Sequence, residues 1–269
     1  MVRQVYHSLL DNFEVLIGRR DKSTPPRRLV EGIGGGDFNR IGSEFFRHFL
    51  EIGALRPDAC ILDVGCGCGR MAIPLTKYLS DRGGYWGFDI VEDNIAWCQK
   101  NIGVQHKNFH FLLADVYNKT YHPKGRFKAA EYRFPYLDDF FDFVSLTSVF
   151  THMLAADMQN YLGQISRVMK PGGRCLISYF LLNAESKKLL EEGMGTVKFP
   201  YAEQDCMINH RKYPEGAVAF EESFIRQCYA AHGLEILEPV RYGSWCGRDR
   251  MLSYQDVVVA IKSAKHPVG

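Results

Sequence analysis

The sequence predicts an α/β fold built on a mostly parallel sheet, and three observations predict it. Short apolar runs alternate with segments of helical period from Cys60 to Phe180. A glycine-rich turn, "GCGCGR" (Gly65 to Arg70), joins the first run to the first helix of that series. Two closing runs, Leu234 to Val240 and Gln255 to Ile261, follow each other with no helix between them. Strands separated by helices pair in parallel through βαβ crossovers, whereas two strands joined directly form an antiparallel edge.

Taken in order, residues 2–18 read as an amphipathic helix, and the Pro- and Gly-rich stretch 21–37 reads as a mobile connector. Together residues 1–39 form an N-terminal cap and connector ahead of a single domain spanning 40–269. Arg40 to Leu55 carries apolar residues at 45, 46, 49, 50 and 52, a helical stripe that "RPDA" ends. The alternating series follows: strand Cys60 to Val64, helix Arg70 to Leu79, strand Tyr85 to Asp89, helix Val91 to Ile102, strand Phe109 to Leu113. Beyond a longer linker come strand Phe141 to Leu146, helix Ala155 to Met169 and strand Arg174 to Phe180. Residues 181–220 have little periodicity and read as an inserted lid, followed by a helix from Glu221 to Ala231 and the two closing strands.

Composition narrows the function. A chain of 269 residues fits one large domain with additions. With 33 basic against 31 acidic residues, the net charge of +2 lacks the basic bias of a dedicated nucleic-acid binder, so a small-molecule substrate is expected. The N-terminal residues contain no apolar signal region, and no run reaches the roughly 18 apolar residues of a membrane span. A cytoplasmic protein away from membranes is expected, with its eight cysteines reduced.

Three of those cysteines crowd the stretch "ACILDVGCGCGR" (Ala59 to Arg70) and raise the question of a metal. Zinc sites pair their ligands as C-x2-C with a second pair at a distance, which Cys60, Cys66 and Cys68 lack. Cys60 and Cys66 also sit at opposite ends of a strand, about 20 Å apart at roughly 3.3 Å per residue. No metal is expected; Cys66 and Cys68 read as packing residues of the loop.

The glycines carry more meaning. A strand, then Gly65-x-Gly67-x-Gly69, then a helix is how backbone approaches a nucleotide at the carboxyl edge of a parallel sheet. The dinucleotide fingerprint G-x-G-x-x-G would place its third glycine where this chain has Arg70. Asp63, inside the strand, would repel a pyrophosphate and attract a cofactor bearing an ammonium and a sulfonium, as S-adenosylmethionine does. Asp89, at the end of the second strand, suits the two ribose hydroxyls. Asp115, past the third, suits the adenine amine, with the Val116 amide near a ring nitrogen. Any one of these acids also reads as a helix cap or a solvated strand end.

At these residues the sequence resembles the class I S-adenosylmethionine-dependent methyltransferases. "ILDVGCGCGR" is similar to their first motif, "YWGFDI" to their acidic second-strand end, "LADV" to their adenine segment, "FFDFVSLTSVFTHM" to their fourth strand and "VMKPGGRCLISYF" to the approach to their fifth. The resemblance covers Arg40 to Phe180 and continues into the closing strand pair. It implies a Rossmann-like sheet of seven strands in the order 3-2-1-4-5-7-6, the last antiparallel, with helices on both faces. It also implies S-adenosylmethionine as cofactor and S-adenosylhomocysteine as product, held by Asp63, Gly65, Gly67, Gly69, Asp89, Ile90, Asp115, Val116 and Thr147. The N-terminal segment and the lid look most like bacterial small-molecule and natural-product members.

Methyl transfer is an in-line displacement, so the protein aligns its reactants and removes a proton where the acceptor is a hydroxyl. "SVFTHM" puts Thr151 and His152 past the fourth strand, where an imidazole suits that proton transfer; capping the next helix is the alternative role. His210, Glu221 and Glu222 are second-rank candidates, and Phe38, Phe199, Tyr201 and Tyr213 are candidates for an apolar acceptor pocket. The Asn/Asp-Pro-Pro-aromatic signature of nucleobase amine methylation is absent from "LTSVFTH", which argues against DNA or RNA as substrate. O-methylation of a small metabolite is therefore expected. N- or C-methylation, an NAD-dependent oxidoreductase and a non-catalytic cofactor-binding subunit stand as alternatives. The sequence leaves the oligomeric state open.

Overall fold

The computed structural model describes residues 24–263 together with Asp11 and Ile17, so the amphipathic helix expected at 2–18 lies outside the described residues. Its main sheet has seven strands: β1 (Cys60–Val64), β2 (Gly84–Asp89), β3 (Phe109–Leu113), β4 (Phe141–Leu146), β5 (Met169–Tyr179) and the closing pair Leu234–Ile236 and Asp256–Lys262. With the closing pair as sixth and seventh strands, their order is 3-2-1-4-5-7-6, as the resemblance implied. Adjacent strands β1 and β4, β4 and β5, and β2 and β3 run parallel. Asp256–Lys262 is antiparallel to both β5 and Leu234–Ile236. The central strands are nearly continuous runs of buried apolar residues, as a sheet covered on both faces requires.

Contacts divide the chain into two compact units, one ending at Ala59 and resuming over Gly65–Ala114, the other made of Cys60–Val64 and the residues from Asp115 onward. In the first unit, the expected mobile connector contains a helix, α1 (Arg27–Gly32). Leu29 explains it: the side chain is buried with Phe38 and Cys68 in an apolar cluster that Val30 and Ile33 extend. Next comes α2 (Phe38–Glu51), whose N-cap Asp37 accepts a bond from the Arg40 N–H. The helix expected over 70–79 is regular only as α3 (Ala72–Leu75). Pro74 has no N–H for the Arg70 carbonyl, and the chain continues as turns bonded Thr76 to Ala72 and Leu79 to Leu75. Likewise α4 (Glu92–Cys98) passes into a wider turn over Gln99–Gly103.

In the second unit, α5 (Ala155–Val168) leads into β5, and residues 181–221 form a second sheet rather than an irregular excursion. That sheet contains β6 (Leu181–Leu182), β7 (Tyr201–Glu203), β8 (Cys206–Ile208) and β9 (Val218–Glu221), ordered β6-β9-β8-β7. Helix α6 (Ala184–Glu191) begins in a capping box, with Asn183 and Ser186 satisfying each other's backbone N–H. Beyond β9 lies α7 (Glu222–Ala231), and the closing pair is β10 (Leu234–Ile236) and β11 (Asp256–Lys262). The sixth strand, expected to reach Val240, stops at Ile236 because Pro239 lacks a donor. Its pairing persists only as isolated bonds at Leu237 and Arg241.

Candidate functional site

In the first unit the glycine loop is shaped by its own backbone. Gly65, Gly67 and Gly69 have φ of 72°, 52° and 81°, the left-handed region that side chains disfavour. Space is as restrictive as torsion. A Cβ at Gly67 would stand 2.9 Å from Ile33 Cγ2, and one at Gly69 would stand 2.7 Å from Ile102 Cδ1. The Gly65 and Cys66 N–H groups both donate to the Phe88 carbonyl, at 2.9 and 3.0 Å.

Asp89 does more in this unit than the sequence reading gave it. Its Oδ2 accepts the Gly67 N–H at 2.8 Å and its Oδ1 accepts the Val91 N–H at 2.8 Å, so one buried carboxylate ties the glycine loop to the entry of α4. Burial pushes its pKa up, while the N–H donors pull the other way. Ile90, next along, is half-buried.

The thiols pack, as expected. Cys66 Sγ lies 3.7 Å and Cys98 Sγ 3.6 Å from the Gly67 carbonyl, so a cysteine from α4 joins one from the loop. Cys68 is wholly buried, and desolvation pushes its thiol up to about 12. Among the described residues no group of three His, Cys, Asp or Glu side chains is placed to hold a metal ion, and no helix is long and apolar enough to cross a membrane. The double variant Cys66→Ala/Cys68→Ala is expected to keep its affinity for S-adenosylhomocysteine, measured by calorimetry, while each lost buried sulfur costs roughly 1 kcal/mol of stability. A collapse of affinity in a folded double variant would contradict the packing role.

In the second unit, Asp63 is buried and accepts the Ser145 hydroxyl at 3.0 Å across the β1–β4 pairing. Asp115 is half-exposed and already engaged. The Arg126 guanidinium and backbone N–H bond it, and His122 Nε2 lies 3.2 Å away; Arg126 first, then His122, hold its pKa below the usual range. Val116 is buried beside it, bridging to Phe127. Thr147 is half-buried at the end of β4.

His152 closes a short 3-10 turn, Phe150–His152, after β4. Its Nδ1 lies 3.0 Å from the backbone carbonyl of Glu215, in the turn Pro214–Gly216. A carbonyl only accepts, so Nδ1 carries the proton and Nε2 of the neutral ring is left as acceptor. Burial pushes the imidazole pKa below 6.5. The helix-capping alternative does not hold, because the N-cap of α5 is Leu154 and no side chain caps it. Beside it, the hydroxyl of fully buried Thr151 has no hydrogen-bond partner among the described residues.

The second-rank residues are committed elsewhere. His210 is exposed, with Nδ1 accepting the Lys212 N–H at 3.0 Å. Glu221 pairs with Lys187, and Glu222 is bound by Arg226, Asn183 and Tyr242. Phe38 packs with Leu29 and Cys68, and Phe199 packs between Phe180 and Trp245. Tyr201 lies under Arg211, and Tyr213 is exposed between Lys119 and Lys212. Sequence reasoning missed the Asp89 clamp on Gly67 and the tether of His152 to Glu215. A strand-end acid before a helix was the one available signal for the first, and the second joins residues with no local pattern.

The strand order and the glycine turn held by a strand-end carboxylate define a Rossmann-like, nucleoside-binding class of protein. The chain belongs to the methyltransferase domain family, whose model matches residues 38–238. Among curated relatives, the ubiquinone/menaquinone biosynthesis C-methyltransferase UbiE of Vibrio parahaemolyticus is 23% identical over 190 residues, 71% of this chain and 59% of that protein. The 27-O-demethylrifamycin SV methyltransferase of Amycolatopsis mediterranei is 29% identical over 151 residues, 53% of this chain and 49% of that protein. The chain thus spans about half the length of these relatives. Among solved structures, magnesium protoporphyrin IX methyltransferase from Synechocystis, with bound SAH, superimposes with a TM-score of 0.53 at 16% identity, covering 95% of this chain and 99% of that chain.

Proposed function

We propose that the protein is an S-adenosylmethionine-dependent methyltransferase that methylates a small molecule at a hydroxyl, with His152 as general base. Family membership supports the reaction class. The glycine loop and its neighbours fit the cofactor in kind: a buried carboxylate, a backbone that admits no side chains, and a buried Arg70 Nε without a partner. In this reading Asp63 and the loop glycines Gly65, Gly67 and Gly69 receive the methionine end. Asp89 and Ile90 receive the ribose, Asp115 and Val116 the adenine, and Thr147 lines the site. An adenine amine at Asp115 shares the carboxylate with the Arg126 guanidinium. Residues 40–269 act as the methyltransferase domain, with 181–220 as its lid, in the cytoplasm and without metal, membrane or nucleic acid.

The bound cofactor supplies an electrophilic methyl group on a good leaving group. The observation that carries the base assignment is the half-buried imidazole of His152, its Nδ1 committed to the Glu215 carbonyl and its Nε2 left to accept a proton. A pKa below 6.5 keeps the ring neutral at physiological pH, the state a base must be in. His210, exposed and bonded to its own turn, is the second choice. The name of the Vibrio relative favours a second reading, C-methylation of a ring made nucleophilic by loss of a proton from its hydroxyl, for which the same base would serve.

The test has two parts. Incubation of the protein with labelled S-adenosylmethionine and cell extract, followed by mass spectrometry, identifies whatever gains one CH2, and fragmentation shows whether oxygen or carbon holds it. On that acceptor, His152→Ala is expected to lower kcat by about 10²- to 10⁴-fold with S-adenosylhomocysteine affinity unchanged. The wild-type rate should stay level to a lower pH than an ordinary imidazole would allow and then decline as the ring protonates. Full turnover by the alanine variant would remove His152 from the reaction.

A further inference from the structure

We propose that Arg70 is the ligand for the α-carboxylate at the amino-acid end of the cofactor, an inference that rests on the S-adenosylmethionine reading above. Arg70 follows Gly69 directly, at the end of the glycine loop. Its Nη2 donates to the Gly35 carbonyl at 2.6 Å, and its guanidinium carbon lies 5.4 Å from the centroid of the Phe38 ring. These contacts come from the segment between α1 and α2 and from the first residue of α2, in the same compact unit as the loop. Its Nε is buried and has no hydrogen-bond partner, and among the described residues no carboxylate lies within ion-pair reach of the guanidinium.

That combination is costly in the ligand-free protein. A charge partly withdrawn from water without a counter-ion is penalised, and an orphaned buried N–H adds to that cost. Three other arginines that pack against the fold each have an acid: Arg167 has Asp138, Arg226 has Glu222 and Glu238, and Arg248 has Asp256 and Glu185. Arg70 has a carbonyl and a ring face. Burial accordingly lowers its pKa, with the Cys68 thiol opposing the shift and no carboxylate.

The missing partner is a carboxylate by geometry as well as by charge. A guanidinium presents adjacent N–H groups in a planar fork that matches the two oxygens of a carboxylate, and the idle Nε–H is one prong of it. The cofactor's methionine end is a zwitterion. In the sequence the glycine loop is bracketed by an acid, Asp63, and a base, Arg70, opposite in sign to the ammonium and the carboxylate respectively.

Calorimetry with two ligands separates this role from a merely structural one: S-adenosylhomocysteine, and its decarboxylated analogue, which lacks only the carboxylate. Wild type is expected to bind S-adenosylhomocysteine the more tightly. Arg70→Met should lose about 10- to 100-fold in affinity for S-adenosylhomocysteine, the range of one charge-assisted hydrogen bond, and little for the analogue. Arg70→Gln, which retains a donor for the Gly35 carbonyl, should behave like Arg70→Met, and Arg70→Lys should recover part of the discrimination. Thermal unfolding without ligand reports whether each variant is folded. Equal losses for both ligands, or no loss, would overturn the assignment and leave Arg70 as a brace for the segment between α1 and α2. Failure of wild type to bind either ligand would instead bring down the S-adenosylmethionine reading, and this inference with it.

Discussion

Asp89→Ala is expected to reduce S-adenosylhomocysteine affinity by 100-fold or more, about 3 kcal/mol, which two hydrogen bonds to a charged acceptor account for at about 1.5–3 kcal/mol each. The effect is double because the residue acts twice. In the protein alone, its two oxygens hold the Gly67 and Val91 N–H groups, both at 2.8 Å. Removing them leaves two buried donors without acceptors and frees the loop at the glycine whose left-handed torsion sets its path. In the complex, the same oxygens are assigned to the ribose hydroxyls, and those bonds are lost as well. Asp89→Asn keeps one acceptor oxygen in place of two, so it should fall between wild type and alanine. Calorimetry gives the affinities, and thermal unfolding without ligand isolates the loop contribution, expected at about 1–3 kcal/mol. A folded alanine variant that binds S-adenosylhomocysteine as wild type does would show that Asp89 only braces the loop.

That double role also shows where the sequence was legible. The strands β3 and β4 begin and end where their apolar runs do: β4 is buried on both faces and mostly apolar, whereas β3, at the sheet edge, turns Phe109 and Phe111 inward and leaves the residues between and after them exposed. The glycine loop was equally plain, since three glycines between a strand and a helix have few other uses. What failed to show were structures stabilised from a distance. Helix α1 sits in a stretch full of prolines and glycines, and its formation depends on burying Leu29 against Phe38 and Cys68. The sheet β6-β9-β8-β7 is made of strands of two to four residues, too short for alternation to register. Asp115 finds Arg126 and His152 finds Glu215 through loops that carry no periodic pattern. Of the candidate site, residue identities were therefore readable, while their partners in the folded chain were not.

The same limit hid the residue whose loss should cost most in stability. Asp256, the first residue of β11, carries no local pattern that marks it in the sequence, yet it is fully buried and accepts four hydrogen bonds. The N–H groups of Leu181 and Gly243 and the indole N–H of Trp245 each donate at 2.7 Å, and the Arg248 guanidinium at 3.2 Å. Through them one carboxylate joins the start of β6 to the segment Gly243–Arg248. Burial pushes its pKa up to about 6, so at neutral pH the group is ionised. Asp256→Ala leaves the Arg248 side chain, only 3% exposed, with Glu185 as its remaining acid, itself 62% exposed. Breaking a buried pair from one side costs about 3–5 kcal/mol, which for a domain of this size lowers Tm by roughly 10 °C. Asp256→Asn should be nearly as damaging, because its amide brings two donors into a site that already supplies four. The pairing itself is measured by Asp256→Ala/Arg248→Leu: with the stranded charge gone, the double variant should be more stable than the sum of the single effects predicts. Denaturant unfolding of the four proteins decides it, and an Asp256→Ala variant within about 0.5 kcal/mol of wild type would mean that the junction is held by the apolar packing of Trp245 and Phe180 rather than by the carboxylate.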